Sequence, residues 1–208
     1  MKRILTALLL FIFPLVNRAQ WKVGINGGAS LNRYTVQQPY ELWFDKYSWG
    51  TAIGVYGQYN ITKYIGVRTE VNLTQKNNRF RLFNDITHYK TTNIYLHLPV
   101  MATNTIHLGK WMFIFNYGIY GAYWLSSSAS SDYDISDFKG INNEYDNRVD
   151  FGLVGGIEAG LQLSNNLELL FETRCYYSTL STKKKVKGIK YPEYNTTFVF
   201  MPSICYTF

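Results

Sequence analysis

Period-two alternation of apolar and polar positions runs through almost the whole chain after residue 20, and no stretch of helical period competes with it. It predicts eight strands, at about 21–34, 47–60, 64–77, 88–103, 111–125, 148–164, 167–181 and 193–207. These are long against the five or six residues of an ordinary strand, whereas 9–11 tilted residues cross a bilayer. In the third strand Ile65, Val67, Thr69, Val71 and Leu73 share one face, and Gly66, Arg68, Glu70, Asn72 and Thr74 the other. The sixth sets Val149, Phe151, Leu153, Ile157, Ala159, Leu161 and Leu163 against Arg148, Asp150, Gly152, Gly156, Glu158, Gly160 and Gln162. The fifth sets Trp111, Phe113, Phe115, Tyr117 and Ile119 against a smaller face with Asn116, Gly118 and Ala122.

A soluble barrel also alternates, so the sorting of sizes decides between environments. A small soluble barrel needs its large apolar residues inside. A membrane barrel carries them outside, around a polar or glycine-rich interior. Here the large residues share faces and the charges and glycines share the opposite ones, which points to the membrane. The connections agree, because short ones (61–63, 104–110, 164–166) alternate with long ones (35–46, 78–87, 126–147, 182–192). With an even strand number, both ends and all short turns fall on one side, the periplasmic one in outer-membrane barrels. The expected fold is therefore all-β: an eight-stranded antiparallel up-and-down transmembrane barrel, closed by pairing 21–34 with 193–207.

The first 19 residues do not belong to this pattern. Lys2 and Arg3 precede an apolar run from Ile4 to Val16, and the small Ala19 stands before Gln20. That is the layout of a secretory signal peptide, too short for a membrane helix. The expectation is cleavage after Ala19, leaving a barrel domain over 20–208. Removal of Lys2, Arg3 and Arg18 lowers the net charge from +7 to about +4, too mild a balance to suggest nucleic acid. Aromatics make up 17% and charged residues also 17%, against roughly 25% charged in soluble domains. Tyr and Trp suit the boundary between lipid and water. On the last strand Phe198, Phe200, Ile204, Tyr206 and the terminal Phe208 share one parity, the arrangement read by barrel-insertion machinery.

The segments Gly27-Gly28-Ala29-Ser30-Leu31-Asn32, Tyr95-Leu96-His97-Leu98-Pro99-Val100, 148–158 and 167–177 together resemble the PorT-like outer membrane β-barrel domain family. The resemblance covers essentially the whole chain after residue 19. It implies an eight-stranded barrel in the outer membrane of a Gram-negative bacterium and is weak for activity. His97 stands where such sequences commonly carry an acidic residue. The family's founding member implies a link to protein secretion, which these motifs alone do not carry over.

Candidate chemistry is sparse. Arg68, Glu70, Glu158, Glu168, Glu172 and Arg174 face inward, with Arg148 and Asp150 nearer the external rim. An eight-stranded barrel is just wide enough to be filled by side chains, and buried charges must pair, so an internal salt-bridge network is expected rather than a solute path. Lys183, Lys184, Lys185, Lys187 and Lys190 form a basic loop suited either to lipopolysaccharide phosphates or to simple solvation. The histidines His88, His97 and His107 and the serines Ser126–Ser128, Ser130 and Ser131 come with no GxSxG elbow, so no catalytic residue is assigned. Asp132, Asp134 and Asp137 lack the glycine and terminal glutamate of a calcium loop. No cofactor or metal is expected. Cys175 and Cys205 fall on opposite faces and should stay free thiols.

Three roles remain open. One is a non-enzymatic, plugged barrel with a structural, surface-interaction or assembly role. The others are an accessory of secretion or transport in the outer membrane, and a soluble lipocalin-like carrier of an apolar ligand. Expected partners are outer-membrane lipid and lipopolysaccharide, the insertion machinery during assembly, and, under the second reading, secretion-system proteins.

Overall fold

The computed structural model describes residues 20–36, 43–44, 47–82, 87–131, 146–183 and 192–208. Residues 1–19, on which the expected export signal falls, and most of the long connections lie outside them. The strands are β1 (Gln20–Val36), β2 (Trp43–Phe44), β3 (Ser48–Asn60), β4 (Ile65–Leu82), β5 (Thr87–Leu108), β6 (Trp111–Ser131), β7 (Val149–Gln162), β8 (Leu167–Ser178) and β9 (Glu193–Thr207). All but β2 form a barrel in which each strand pairs antiparallel with its neighbours in sequence. It closes where β1 pairs β9, from Lys22 opposite Thr207 to Val36 opposite Glu193. The two-residue β2 was not expected; it adds to the end of β4, with Trp43 opposite Arg81.

Three strands run well past their predicted ends, β4 among them, which continues to Leu82. The 104–110 stretch is not a turn: Asn104 to Leu108 continue β5, and Leu108 pairs Trp111 across Gly109 and Lys110 alone. Gly109 adopts φ 65°, which a residue without Cβ takes at no steric cost. Polar Asn104, Thr105 and His107 resemble turn chemistry in composition but keep the alternation. At the other end β6 continues through Ser126–Ser131 into what looked like loop. A bulge at Leu125 lets it do so, since Ile94 pairs Ser126 while Tyr95 pairs Trp124.

Alternation then sorts the side chains. Outward residues such as Ile25, Ile53, Val71, Leu98, Ile119, Leu153 and Ile157 are each about half exposed or more. At the short-turn end Trp21, Tyr64, Trp111, Tyr206 and Phe208 face out, with Trp21 against Tyr59 at 4.9 Å. At the long-loop end Tyr47, Trp49, Tyr123 and Tyr177 do the same. Two aromatic belts around an aliphatic band match the two interfaces and the core of a bilayer.

Candidate functional site: the charged lumen

The interior holds a column of polar and aromatic side chains in three levels. At the short-turn end Lys22 of β1 donates from Nζ to both carboxylate oxygens of Glu168 on β8, each at 2.7 Å. Both are inward by alternation, and the two strands lie on either side of β9.

The middle level brings together five of the six expected charges. Arg174 of β8 is a double fork: Nη1 and Nη2 donate to Glu70 of β4 at 2.7 Å each. Nε and Nη2 donate to Glu172 at 2.8 and 2.6 Å. Such bidentate pairs fix both geometry and charge. Arg68 donates from Nε to Gln58 at 2.8 Å and from Nη2 to Glu158 of β7 at 2.8 Å. Its Nη1 stands 3.9 Å from Glu70 and 3.8 Å from Glu172, and its guanidinium lies 4.5 Å from the centre of the Tyr56 ring. Asn72 donates to Glu70 at 2.7 Å and Asn116 to Glu172 at 2.9 Å. Glu168, the sixth, stands apart with Lys22.

Of the third level only Asp150 was expected from sequence. Lys76 of β4 donates to Asp150 of β7 at 2.9 Å, and the same carboxylate accepts from Tyr120 and Ser178. Lys76 also sits 4.4 Å from the Tyr95 ring centre. Beside it His97 is stacked on Tyr120 at 5.3 Å and meets the edge of Tyr176 at 4.7 Å, while Tyr95 stacks on Trp124 at 5.6 Å. Lys22 and Lys76 were visible in principle, since each shares parity with small or polar inward residues of its own strand. The rings show that size sorting is partial: large aromatics fill the lumen too, contrary to the small inward face read for the fifth strand. His97 fills this layer as a fully buried ring with both nitrogens unpartnered.

Arg148 corrects another expectation. It precedes β7 and so escapes its alternation. Its guanidinium lies 4.7 Å from the centre of the outward Tyr123 ring and donates to the carbonyls of Trp124 and Leu125. Lys183 bonds Asp146 at 2.5 Å. Lys184, Lys185, Lys187 and Lys190 lie outside the described residues, as do the aspartates of loop 126–147. Phe198, Phe200, Ile204, Tyr206 and Phe208 all sit on the outer wall, and the Phe208 amide donates to the Trp21 carbonyl at 3.0 Å. Cys175 and Cys205 are both free thiols, Cys205 buried in the interior and Cys175 opposite Phe198. His107 contacts the Lys63 carbonyl at 3.2 Å at the short-turn end. Among the described residues no group of three His, Cys, Asp or Glu could hold a metal.

Side chains that line an open channel stay wet. Arg68, Arg174, Tyr95, Tyr120 and Tyr176 are at most 2% exposed, so the described lumen is filled at their level. An antiparallel barrel whose eight long strands close on themselves, apolar outside and charged inside, defines a membrane-spanning β-barrel.

The chain matches the outer membrane protein beta-barrel domain family over residues 16–182 and belongs to it. It is an outer-membrane barrel protein. The specific PorT-like label expected from the motifs stays a resemblance. Among solved structures it is similar to the outer membrane protein OprG from Pseudomonas aeruginosa, at 14% identity and TM-score 0.52, over 92% of this chain and 97% of that one. It is also similar to a major outer membrane protein from Thermus thermophilus, at 13% identity and TM-score 0.51, over 91% and 99%. At such identity these likenesses speak for the fold alone. No curated protein matches the chain.

Proposed function

We propose that this protein is a non-enzymatic, plugged barrel of a Gram-negative outer membrane, with a structural, surface-interaction or assembly role carried by its long connections. The single observation that supports this most is the Arg174 fork between Glu70 and Glu172, which spans the lumen where a solute would pass. A carrier of lipocalin type needs an apolar interior cavity, and here charges and hydrogen-bonded rings occupy that space. The short-turn end faces the periplasm, and residues 1–19 are the export signal removed after Ala19. Phe198, Phe200, Ile204, Tyr206 and Phe208 present an aromatic outer edge to the insertion machinery, and the Lys183–Lys190 loop meets lipopolysaccharide phosphates at the cell surface.

The test has two arms. Purified protein in planar lipid bilayers should show no steady conductance above the lipid background; a regular open channel would overturn the plugged reading. In cells, deletion of 132–145, which leaves β6 and the Asp146–Lys183 contact in place, should change surface adhesion or the set of crosslinked partners while the barrel still assembles. An unchanged phenotype and partner set would remove the basis for a loop-centred role.

A further inference from the structure

The middle level of the lumen does not balance. Glu70, Glu158 and Glu172 face two guanidiniums, Arg68 and Arg174, and all five side chains are at most 3% exposed. The pairs above and below, Lys76 with Asp150 and Lys22 with Glu168, are each neutral by themselves and lend no spare cation. Two of the three glutamates are fully engaged. Glu70 takes two bonds from Arg174 and one from Asn72, and Glu172 takes two from Arg174 and one from Asn116. Glu158 differs: only Oε2 is bonded, to Arg68 at 2.8 Å and to Asn116 at 3.4 Å. Its Oε1 has no partner.

Asn116 Oδ1 and the Thr103 hydroxyl are unpartnered and buried, and Asn116 stands directly opposite Thr103 in the β5–β6 register. Arg68 Nη1 is also without a hydrogen-bond partner, 3.9 Å from Glu70 and 3.8 Å from Glu172, so what the cluster lacks is a positive charge rather than an N–H. One surplus negative charge is costly in a dry interior. Carboxylates that share a site relieve this by taking up a proton in common, and the least engaged oxygen is where it sits. The other titratable groups facing the lumen among the described residues are Tyr34 on β1, Tyr56 on β3, His97 and Tyr95 on β5, Tyr120 on β6, Tyr176 on β8 and Cys205 on β9. Phenols and a thiol cannot become cations, and His97 would have to be charged in the same dry space with both nitrogens unpartnered. An alkali ion fits less well, because two guanidiniums stand beside the same carboxylates.

We propose that the lumen is a binding site for one proton, taken from water onto Oε1 of Glu158, so that the folded barrel at neutral pH contains a neutral carboxylic acid. The added O–H turns the orphaned oxygen of Glu158 into a donor, and the cluster becomes neutral as a whole.

Infrared spectroscopy of the full-length protein in detergent tests this at pH 7 through the carbonyl stretch of a protonated carboxylic acid. The wild type should show one such band, sensitive to deuterium exchange, in sodium-containing and sodium-free buffer alike. Glu158→Gln should lose it. Glu172→Gln should lose it as well, although Glu158 is still present, because two carboxylates then face two guanidiniums. Mobility before and after boiling reports that each variant has folded, and the wild-type spectrum decides even where a variant does not. A wild type without the band, a band present only when sodium is withheld, or a band that persists in Glu158→Gln would overturn the proposal.

Discussion

Arg174 and Glu70 lie 104 residues apart in the chain, on strands β8 and β4 that are not neighbours, yet they meet through two hydrogen bonds of 2.7 Å across the lumen. The contact ties opposite walls of the barrel together, so its loss should be felt by the whole fold. Arg174→Met leaves Glu70 and Glu172 with the amides of Asn72 and Asn116 and, as a cation, only the distant Nη1 of Arg68. The expected cost is about 3–5 kcal/mol, as for breaking one side of a buried ion pair. Urea unfolding in lipid vesicles measures it. A companion change of Glu70→Gln on the same background should recover part of the loss, since it removes one of the stranded charges.

The two lysine pairs should respond unequally. Lys76 is fully buried with Asp150, so Lys76→Met should cost roughly 2–4 kcal/mol. Lys22 and Glu168 are each 9% exposed at the short-turn end, where water reaches them. Lys22→Met should cost about 1 kcal/mol. Equal losses for the two would argue that burial does not set these energies.

Glycines in the wall divide by what surrounds them. A Cβ on Gly152 would lie 2.0 Å from the Tyr177 carbonyl oxygen, and one on Gly118 2.1 Å from that of Val100. Backbone cannot step aside, so Gly152→Ala should abolish most of the folded, boiling-sensitive form. Gly57 and Gly121 meet nothing within 4 Å. Alanine there should leave stability within about 0.5 kcal/mol of wild type.

Phe208 extends past β9, with its ring 5.1 Å from Tyr206 and 70% exposed. Phe208→Ala removes little buried area, so the refolded protein should unfold within about 1 kcal/mol of wild type. If the outer-edge aromatics are read during assembly, the variant should nonetheless insert more slowly in cells, measured by pulse-chase of the folded form. Normal insertion kinetics would count against that role.

Much of this fold can be read from alternation alone. The parity of Arg68 and Glu70 against Val67 and Val71 already says which face is inside, and an eight-strand count with alternating short and long connections gives the closure of β1 on β9. What alternation does not carry is the stagger between strands that are not neighbours. That stagger decides that Glu168 meets Lys22 rather than Arg174, and that Lys76 reaches Asp150. The aromatic level is hidden for a related reason: Tyr120 and Tyr176 share inward parity with glycine and arginine, and only the closed lumen shows that their rings have space to pack on His97. Strand ends were blurred where polar side chains continue a strand above the bilayer, as in Ser126–Ser131, because composition there resembles a loop.

The most direct test of the central claim is the behaviour of the exported protein on electrophoresis in SDS. A closed outer-membrane barrel tied across its lumen should be recovered in the membrane fraction, resist SDS at room temperature and shift mobility only on boiling. Recovery in the soluble periplasmic fraction, with identical mobility before and after boiling, would contradict it.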